Sequence, residues 1–411
     1  MSRSGRIDIL TRVEGHGKIE LIRTGSRVTD ARLHLHESPR LFEALLLGKR
    51  FDEVAEIACR ICSICSTVHK VAALQAIEQA LGVRVSPQTG LLRQLAVQGG
   101  QIESHALHIY CLALPDYLGV GGFPGLANVA PQKLKQGLKI KALGNLIQET
   151  IGGRAIHPFN LLVGGLGRTP GPEHLQRLAD GLQEVREELP DLIEFTASLP
   201  ETLPPLFPPE ACAVSGGPAL FGDHLATSTG ETVPADAAAS WLNEKVEAHS
   251  HAKFSRFDGQ TVYLVGPLAR LHLSIPAEYA QELAGAPVSS SLLARAIELQ
   301  QAVEHSLMLI THLLAAGLQQ EKPAAVVPTS GQGTALIEAP RGVLLHSYTF
   351  DQRGICTGAD IITPTAINQA AIEGSLKALV AALDSTDYQQ VKTACERLVR
   401  CFDPCISCAV H

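Results

Sequence analysis

Arg60-Ile61-Cys62-Ser63-Ile64-Cys65-Ser66-Thr67-Val68-His69 lies near the start of the chain, and Asp403-Pro404-Cys405-Ile406-Ser407-Cys408-Ala409-Val410-His411 ends it. Each stretch is a CxxC unit followed by a histidine. Two such units supply four thiolates, the ligand set that soft metals select. If Cys62 opens a helix, Cys65 lies one turn on and His69 a turn further, so the three share a face. The second motif repeats that geometry after Pro404, a residue suited to a helix start. Nearly the whole chain separates the motifs, so the fold has to bring two distant helix ends together.

Spacing alone leaves three kinds of centre open: structural zinc, an iron–sulfur cluster and a catalytic metal site. Structural zinc usually closes a local loop of about 15 to 20 residues. An iron–sulfur cluster also takes four cysteines. Of the six cysteines outside the motifs, Cys111, Cys212, Cys356 and Cys395 read as small buried hydrophobes, and Cys59 and Cys401 lie beside the motifs.

Composition narrows the setting. The chain has 411 residues, 45% hydrophobic and 18% charged, enough to bury a large core. Its net charge of −7 and the lack of a basic run give nucleic acid no foothold. The first residues, Met1 to Arg6, run into Ile7-Asp8-Ile9-Leu10 without a signal-type apolar stretch, and no apolar run nears the roughly 20 residues of a membrane span. The expected location is cytoplasmic, where reducing conditions favour metal binding over disulfides.

Apolar periodicity sketches an α+β fold, predominantly helical, with a long-helix core and the metal site between the N- and C-terminal motifs. Length leaves one large domain over 1–411 or two packed ones open. Within the chain, 1–38 is β-rich, with Ile7 to Leu35 as an antiparallel meander. Residues 39–198 are helical and carry the first motif, with helices expected at Val68 to Leu81, Gly90 to Leu114, Pro131 to Ile151 and Glu173 to Leu199. Residues 199–289 form a Pro-rich connector and a peripheral mixed segment, with one strand at Thr261 to Val265. Residues 290–411 are expected to be helical, at Ser290 to Gln320, Ala366 to Leu383 and Tyr388 to Cys401.

The flanks of the cysteines carry more than their spacing. Arg60-x-Cys62-x-x-Cys65-x-x-x-His69 with Asp403-Pro404-Cys405-x-x-Cys408-x-x-His411 resembles the two nickel-binding signatures of the large, catalytic subunit of [NiFe] hydrogenases, in order and in terminal position. Further family-like segments lie between or before them: Arg12-Val13-Glu14-Gly15-His16, Leu41-Phe42-Glu43, His108-Ile109-Tyr110 through Asp116, Gly152 to Pro158, Glu338-Ala339-Pro340-Arg341-Gly342, and Pro364-Thr365 with Asn368.

The resemblance implies heterolytic cleavage or formation of H2 at a nickel–iron centre, with electrons passed to an iron–sulfur small subunit. The other output it allows is a regulatory hydrogen sensor with the same centre. Nickel is implied on Cys62, Cys65, Cys405 and Cys408, with Cys65 and Cys408 also on iron, and the iron carries CO and two CN ligands. Cys405 is implied as the base and Glu14 as the proton carrier. Arg341, after Pro340, is implied to lie over the open metal position, paired with Asp116 and Asp403. Thr365 is implied to donate to a cyanide and His69 to a bridging thiolate. Glu43 and His411 are implied to hold magnesium. Asp403 is also suited to cap a helix ahead of Pro404.

Two departures from the family pattern stand out: Ser63 follows the first motif cysteine where the family usually has Gly, and no extension follows His411. Beyond the four ligands no cysteine group can hold an electron relay, so the small subunit is an obligate partner. Further electron-transfer subunits and maturation proteins are also implied. The style of the motifs is closest to the cytoplasmic, cofactor-coupled branch.

Overall fold

The computed structural model describes residues 3–217, 220–257, 261–274 and 276–411. At the N-terminus, β1 (Arg3–Ile9), β2 (Gly17–Thr24) and β3 (Arg27–Leu35) form an antiparallel meander in the order β1-β2-β3. Gly25 turns β2 into β3 at φ +67°, a left-handed conformation that glycine adopts without strain. Ile19, Leu21, Leu33 and Leu35 are buried, and β3 packs on the helix Pro364–Leu383.

The long helices follow the apolar periodicity: Ser66–Ala80, Pro87–Ala106, Pro131–Gly152, Pro172–Ala197, Ser291–Ala316, Pro364–Leu383 and Tyr388–Phe402. The hydroxyl of Ser86 accepts the Thr89 amide at 3.0 Å, capping the second of these, and Pro87 takes the first helical position. Helices 87–106 and 131–152 approach closely at Gly99 and Gly144. A Cβ at Gly144 would lie 2.5 Å from the Glu103 amide nitrogen and 2.6 Å from the Gly99 carbonyl oxygen. The expected helix from Gly90 to Leu114 changes character: its last part, Leu107–Ala113, is a π-helix carrying His108.

One expectation fails in 290–411, which is not all helical. Gly331–Ala339, Gly342–Phe350 and Cys356–Ile362 form antiparallel strands, extended by Phe221–Gly222 on the outer edge. The middle strand is buried on both faces along nearly its whole length, so it lacks the polar–apolar alternation that marks a half-exposed strand. Ala339 pairs with Gly342, which leaves Pro340 and Arg341 as the tip of a two-residue hairpin.

The peripheral segment holds a small sheet of Tyr263–Leu264, Glu210–Val214, His224–Thr227 and Thr232–Pro234, with the helix Ala235–Leu242 packed on it. The strand expected at Thr261 to Val265 shortens to Tyr263–Leu264. Cys212, Val214, Leu225 and Phe257 share a core with Leu336, Val343 and Leu345 of the larger sheet, so the segment is packed onto the hairpin that carries Arg341. Among the described residues no helix is long and apolar enough to cross a membrane.

Candidate metal centre

The first motif does not open as a helix. Cys62 and Cys65 lie in the turn before Ser66–Ala80, and the Cys62 sulfur accepts the Cys65 amide at 3.5 Å. That contact takes up an amide that an earlier helix start would have aimed along the axis. His69 sits in the first turn of the helix. At the other end Cys405 is extended, and the Ile406 amide donates to the Glu14 carbonyl at 3.0 Å. The short helix Ile406–Ala409 then carries Cys408, so Pro404 precedes the helix rather than starting it.

These two turns bring four sulfurs together, all within 4.8 Å of one another and all buried. Cys62 lies 3.4 Å from Cys405, Cys65 3.2 Å from Cys408, and Cys405 2.8 Å from Cys408. Burial, and then the neighbouring sulfurs, push the Cys405 thiol well above its ordinary pKa, and burial does the same to Cys408. Cys62 is pushed down, chiefly by its hydrogen bond with Cys405. Four thiolates in so small and dry a space need cationic charge among them, which is what a thiolate-bound metal supplies. The donor set therefore fits nickel and iron.

Around the sulfurs lies a small enclosed space bordered by His69, Pro340, Arg341, Leu344, Pro364 and Thr365. Arg341 is buried and donates from Nε to the Asp403 carbonyl at 2.7 Å and from Nη2 to the Asp403 carboxylate at 3.1 Å. Its Nη1 has no hydrogen-bond partner among the described residues. Asp403 has φ +50° and ends the helix Tyr388–Phe402, so it caps a C-terminus and not the N-terminus expected from Pro404. Asp116 does not meet Arg341. It accepts from Arg400 at 2.6 and 2.9 Å and from Arg12 at 2.5 Å, tying the N-terminal loop to the last long helix. The family resemblance names the carboxylates but not which guanidinium each will face.

Thr365 lies in the first turn of Pro364–Leu383, and its Oγ1 accepts the Cys405 amide at 2.8 Å, leaving its own proton to donate elsewhere. The half-buried Glu14 carboxylate is 3.1 Å from the Cys405 sulfur, accepts the Ser407 amide at 3.1 Å, and also meets the Ser407 hydroxyl.

His69 Nε2 lies 3.6 Å from the Cys408 sulfur, and its Nδ1 lies 3.0 Å from His346 Nε2. His346 Nδ1 is in turn 2.6 Å from the Tyr348 hydroxyl. Burial pulls His69 down to about 4 and His346 well below its ordinary value, so both rings are neutral. One assignment satisfies every atom: Tyr348 donates to His346, His346 to His69, and His69 to the sulfur. Sequence reasoning does not find His346 and Tyr348, because it does not find the strand on which they stand two residues apart.

Arg270, Glu298 and Glu338 form a second group that sequence reasoning does not find. Arg270 donates at 3.1 Å to the carbonyl oxygen of Ala339, and more weakly to that of Pro340, where the hairpin turns. Glu338 at least falls in a recognisable segment, whereas nothing in the sequence around Arg270 or Glu298 marks them.

Glu43 accepts the Ile361 amide at 3.0 Å and an ion pair from Lys253 at 3.2 Å. Burial pushes the Glu43 carboxyl up, but the approach of His411, the Ile361 amide and Lys253 outweigh it and hold it at about 2. The ring of His411 binds the Cys408 carbonyl through Nδ1 at 2.6 Å, and its Nε2 is buried without a partner among the described residues, 3.8 Å from Glu43. Glu244 and Asp360 place further carboxylate oxygens within 4.8 Å of that of Glu43. An orphaned imidazole nitrogen beside clustered carboxylates fits a divalent cation, with Lys253 already supplying part of the positive charge.

Comparison with known proteins agrees with this geometry. The family model for nickel-dependent hydrogenases matches residues 40–138 and 222–411, and a HoxL-like model matches 6–37. The chain is 38% identical to the alpha chain of sulfhydrogenase 2 of Pyrococcus furiosus, over 98% of both chains. It is 31% identical to a chain of the vhu F420-non-reducing hydrogenase of Methanocaldococcus jannaschii, over 90% of this chain and 97% of that one. Among solved structures, an NAD+-reducing [NiFe]-hydrogenase in the H2-reduced state superposes over 100% of both chains with a TM-score of 0.87 at 25% identity. The Ni-Fe-Se hydrogenase from D. vulgaris Hildenborough in its as-isolated oxidized state does so with 0.83, also at 25% identity and 100% of both chains. The chain belongs to the nickel-dependent hydrogenases, as their large, catalytic subunit.

Proposed function

We propose that Cys62, Cys65, Cys405 and Cys408 would together hold a nickel–iron group. The observation that carries this reading is the convergence of four buried sulfurs from both ends of the chain, with a carboxylate and an unpartnered guanidinium nitrogen beside them. When bound, the nickel–iron group, its iron bearing CO and two CN ligands, supplies the redox and Lewis-acid chemistry that makes H2 acidic.

The chain's own residues then handle the proton. Cys405 is the base: its sulfur receives the proton, and Glu14, 3.1 Å away, takes it on. The Ser407 amide and hydroxyl fix the Glu14 carboxylate in reach of that sulfur. Arg341, held on the Asp403 side by two hydrogen bonds, presents its remaining nitrogen as a fixed positive group where negative charge develops. Asp403 serves as its anchor, and Pro340 stiffens the hairpin tip. Asp116 acts one step away, holding Arg12 and Arg400 across the Glu14 loop. Thr365, having accepted the Cys405 amide, keeps a hydroxyl proton to donate to a cyanide. The His69 ring donates to the Cys408 sulfur and tempers its basicity.

Glu43 and His411 would hold magnesium, locking the Cys408 carbonyl through the same ring. Electrons leave through an iron–sulfur small subunit, then through further electron-transfer subunits. Maturation proteins insert the metals, and the complex works in the cytoplasm. That the relatives are named as single subunits of larger hydrogenases supports the multi-chain part of this reading.

The test is metal analysis of the purified complex with infrared spectroscopy. One nickel per large subunit, iron in excess of it because the small subunit's clusters add to the count, and bands for iron-bound carbonyl and cyanide are expected. Zinc without nickel, or a spectrum lacking those bands, overturns the reading.

A further inference from the structure

We propose that two His-x-His segments, His34-Leu35-His36 and His249-Ser250-His251, form a second metal site, for a divalent transition ion of the zinc, cobalt or nickel class. They lie far apart in the chain but are joined in the fold. The His251 amide donates to the Leu35 carbonyl at 2.8 Å, and Ser250, buried between the two histidines, accepts from Gln369 at 2.8 Å. His34 lies on β3 and His36 immediately follows its end, and the two rings stack on one side.

The rings stand at the spacing of imidazoles that share an ion. His34 is 5.2 Å from His36 and 5.5 Å from His249, and His36 is 5.5 Å from His251, centroid to centroid. With metal–nitrogen bonds of about 2 Å and tetrahedral angles, two imidazoles on one ion have centroids about 5 Å apart. As the side chains stand, no three nitrogens converge within 4.8 Å. His36 and His251 are exposed and are the rings able to turn inward.

The second observation is the set of partners behind the rings. His34 Nε2 lies 3.0 Å from a Glu20 carboxylate oxygen, His249 Nε2 lies 2.7 Å from Glu373, and His251 Nδ1 lies 3.1 Å from the Glu37 carbonyl. Each contact takes one ring nitrogen and, among the described residues, no hydrogen bond takes the other. A histidine that donates one N–H to an oxygen has its tautomer fixed and its other nitrogen made more basic, the arrangement found behind metal-bound imidazoles. Lys18, on the neighbouring strand, opposes a cation, and Glu20, Glu37 and Glu373 outnumber it. Imidazole with carboxylate support suits zinc, cobalt and nickel better than magnesium or calcium.

The test uses the purified complex with its catalytic metals in place. Loosely held ions are removed with a mild chelator, and Co2+ is added while its visible absorption and bound stoichiometry are followed. The double variant His36→Gln/His251→Gln is measured alongside, with H2-dependent dye reduction reporting that it has folded and kept its centre. The expected result is one more Co2+ bound to the parent than to the variant, with at least tenfold weaker binding in the variant and unchanged dye reduction. Equal uptake by the two proteins, or none by either, overturns the proposal.

Discussion

Arg270 donates from Nε and Nη2 to the two carboxylate oxygens of Glu298, at 2.6 and 2.7 Å. Its third nitrogen meets Glu338, so one planar group is held by two acids while it grips the carbonyls leading into the Pro340–Arg341 turn. Burial pushes the Glu298 carboxyl up, and the Arg270 guanidinium more than offsets that, leaving it at about 2. The folded value lies below the ordinary 4.5, so the pair's contribution is complete above pH 4.5 and is lost as pH falls from there toward 2. Glu298→Gln is expected to cost about 3 kcal/mol at neutral pH and to remove that part of the acid slope. Denaturant unfolding of both proteins between pH 7 and pH 3 checks it, and parallel curves would refute it.

His108 makes a second, separable acid limb. Burial first, and then nearby Arg295, pull it down to about 3, and its Nε2 contacts the Arg400 carbonyl at 2.8 Å. The neutral ring is the folded form, so stability should fall as pH drops from 6.5 toward 3, by up to about 1.4 kcal/mol per pH unit. His108→Gln, whose amide can still donate to that carbonyl, should flatten this limb. An unchanged pH slope in the variant would show that the ring already carries a proton when folded.

Glu14→Gln should leave nickel and iron bound but slow the exchange of H2 with solvent deuterium by about a hundredfold or more. Mass-spectrometric isotope exchange, alongside metal analysis, separates proton delivery from loss of the centre. Full exchange in the variant would take Glu14 out of the proton route.

Arg341→Lys keeps the charge but cannot donate to both the carbonyl and the carboxylate of Asp403 from one rigid plane. We expect turnover to drop by about 10²- to 10³-fold with metal content retained. Dye-coupled H2 oxidation on protein of matched nickel content measures this, and near-normal turnover would reduce Arg341 to a packing role.

Gly144→Ala should destabilise by about 1 to 3 kcal/mol, because the added carbon would sit 2.5 Å from the Glu103 amide nitrogen. Thermal unfolding of the purified complex is the measurement, and an unshifted midpoint would mean that the two helices can separate at no cost.

The four clustered cysteines are legible because their spacing and flanks sit in the chain itself, and helices such as Pro172–Ala197 and Tyr388–Phe402 because they show an apolar stripe. The middle strand Gly342–Phe350 is not, since burial on both faces erases alternation, and His346 and Tyr348 disappear with it. Asp116 shows a different limit: its segment is recognisable, yet its choice of Arg12 and Arg400 over Arg341 depends on where a distant helix ends. The turn at Cys62 escapes sequence reasoning because helical spacing and a turn with a sulfur acceptor place three side chains on one side equally well.

Cys62 and Cys405, whose sulfurs nearly touch, are 343 positions apart. Closing so long a loop costs roughly 3 kcal/mol more in chain entropy than closing the 15-residue loop of a small zinc module. The main chain meets part of that cost itself, through the Ile406 amide on the Glu14 carbonyl and the Arg40 amide on the Val410 carbonyl, neither of which involves a cation. Polypeptide contacts thus draw the ends together at the very point where metal loading must occur. Anything that delivers ions to this pocket has to meet both motifs at once, since neither turn by itself offers more than two of the four sulfurs.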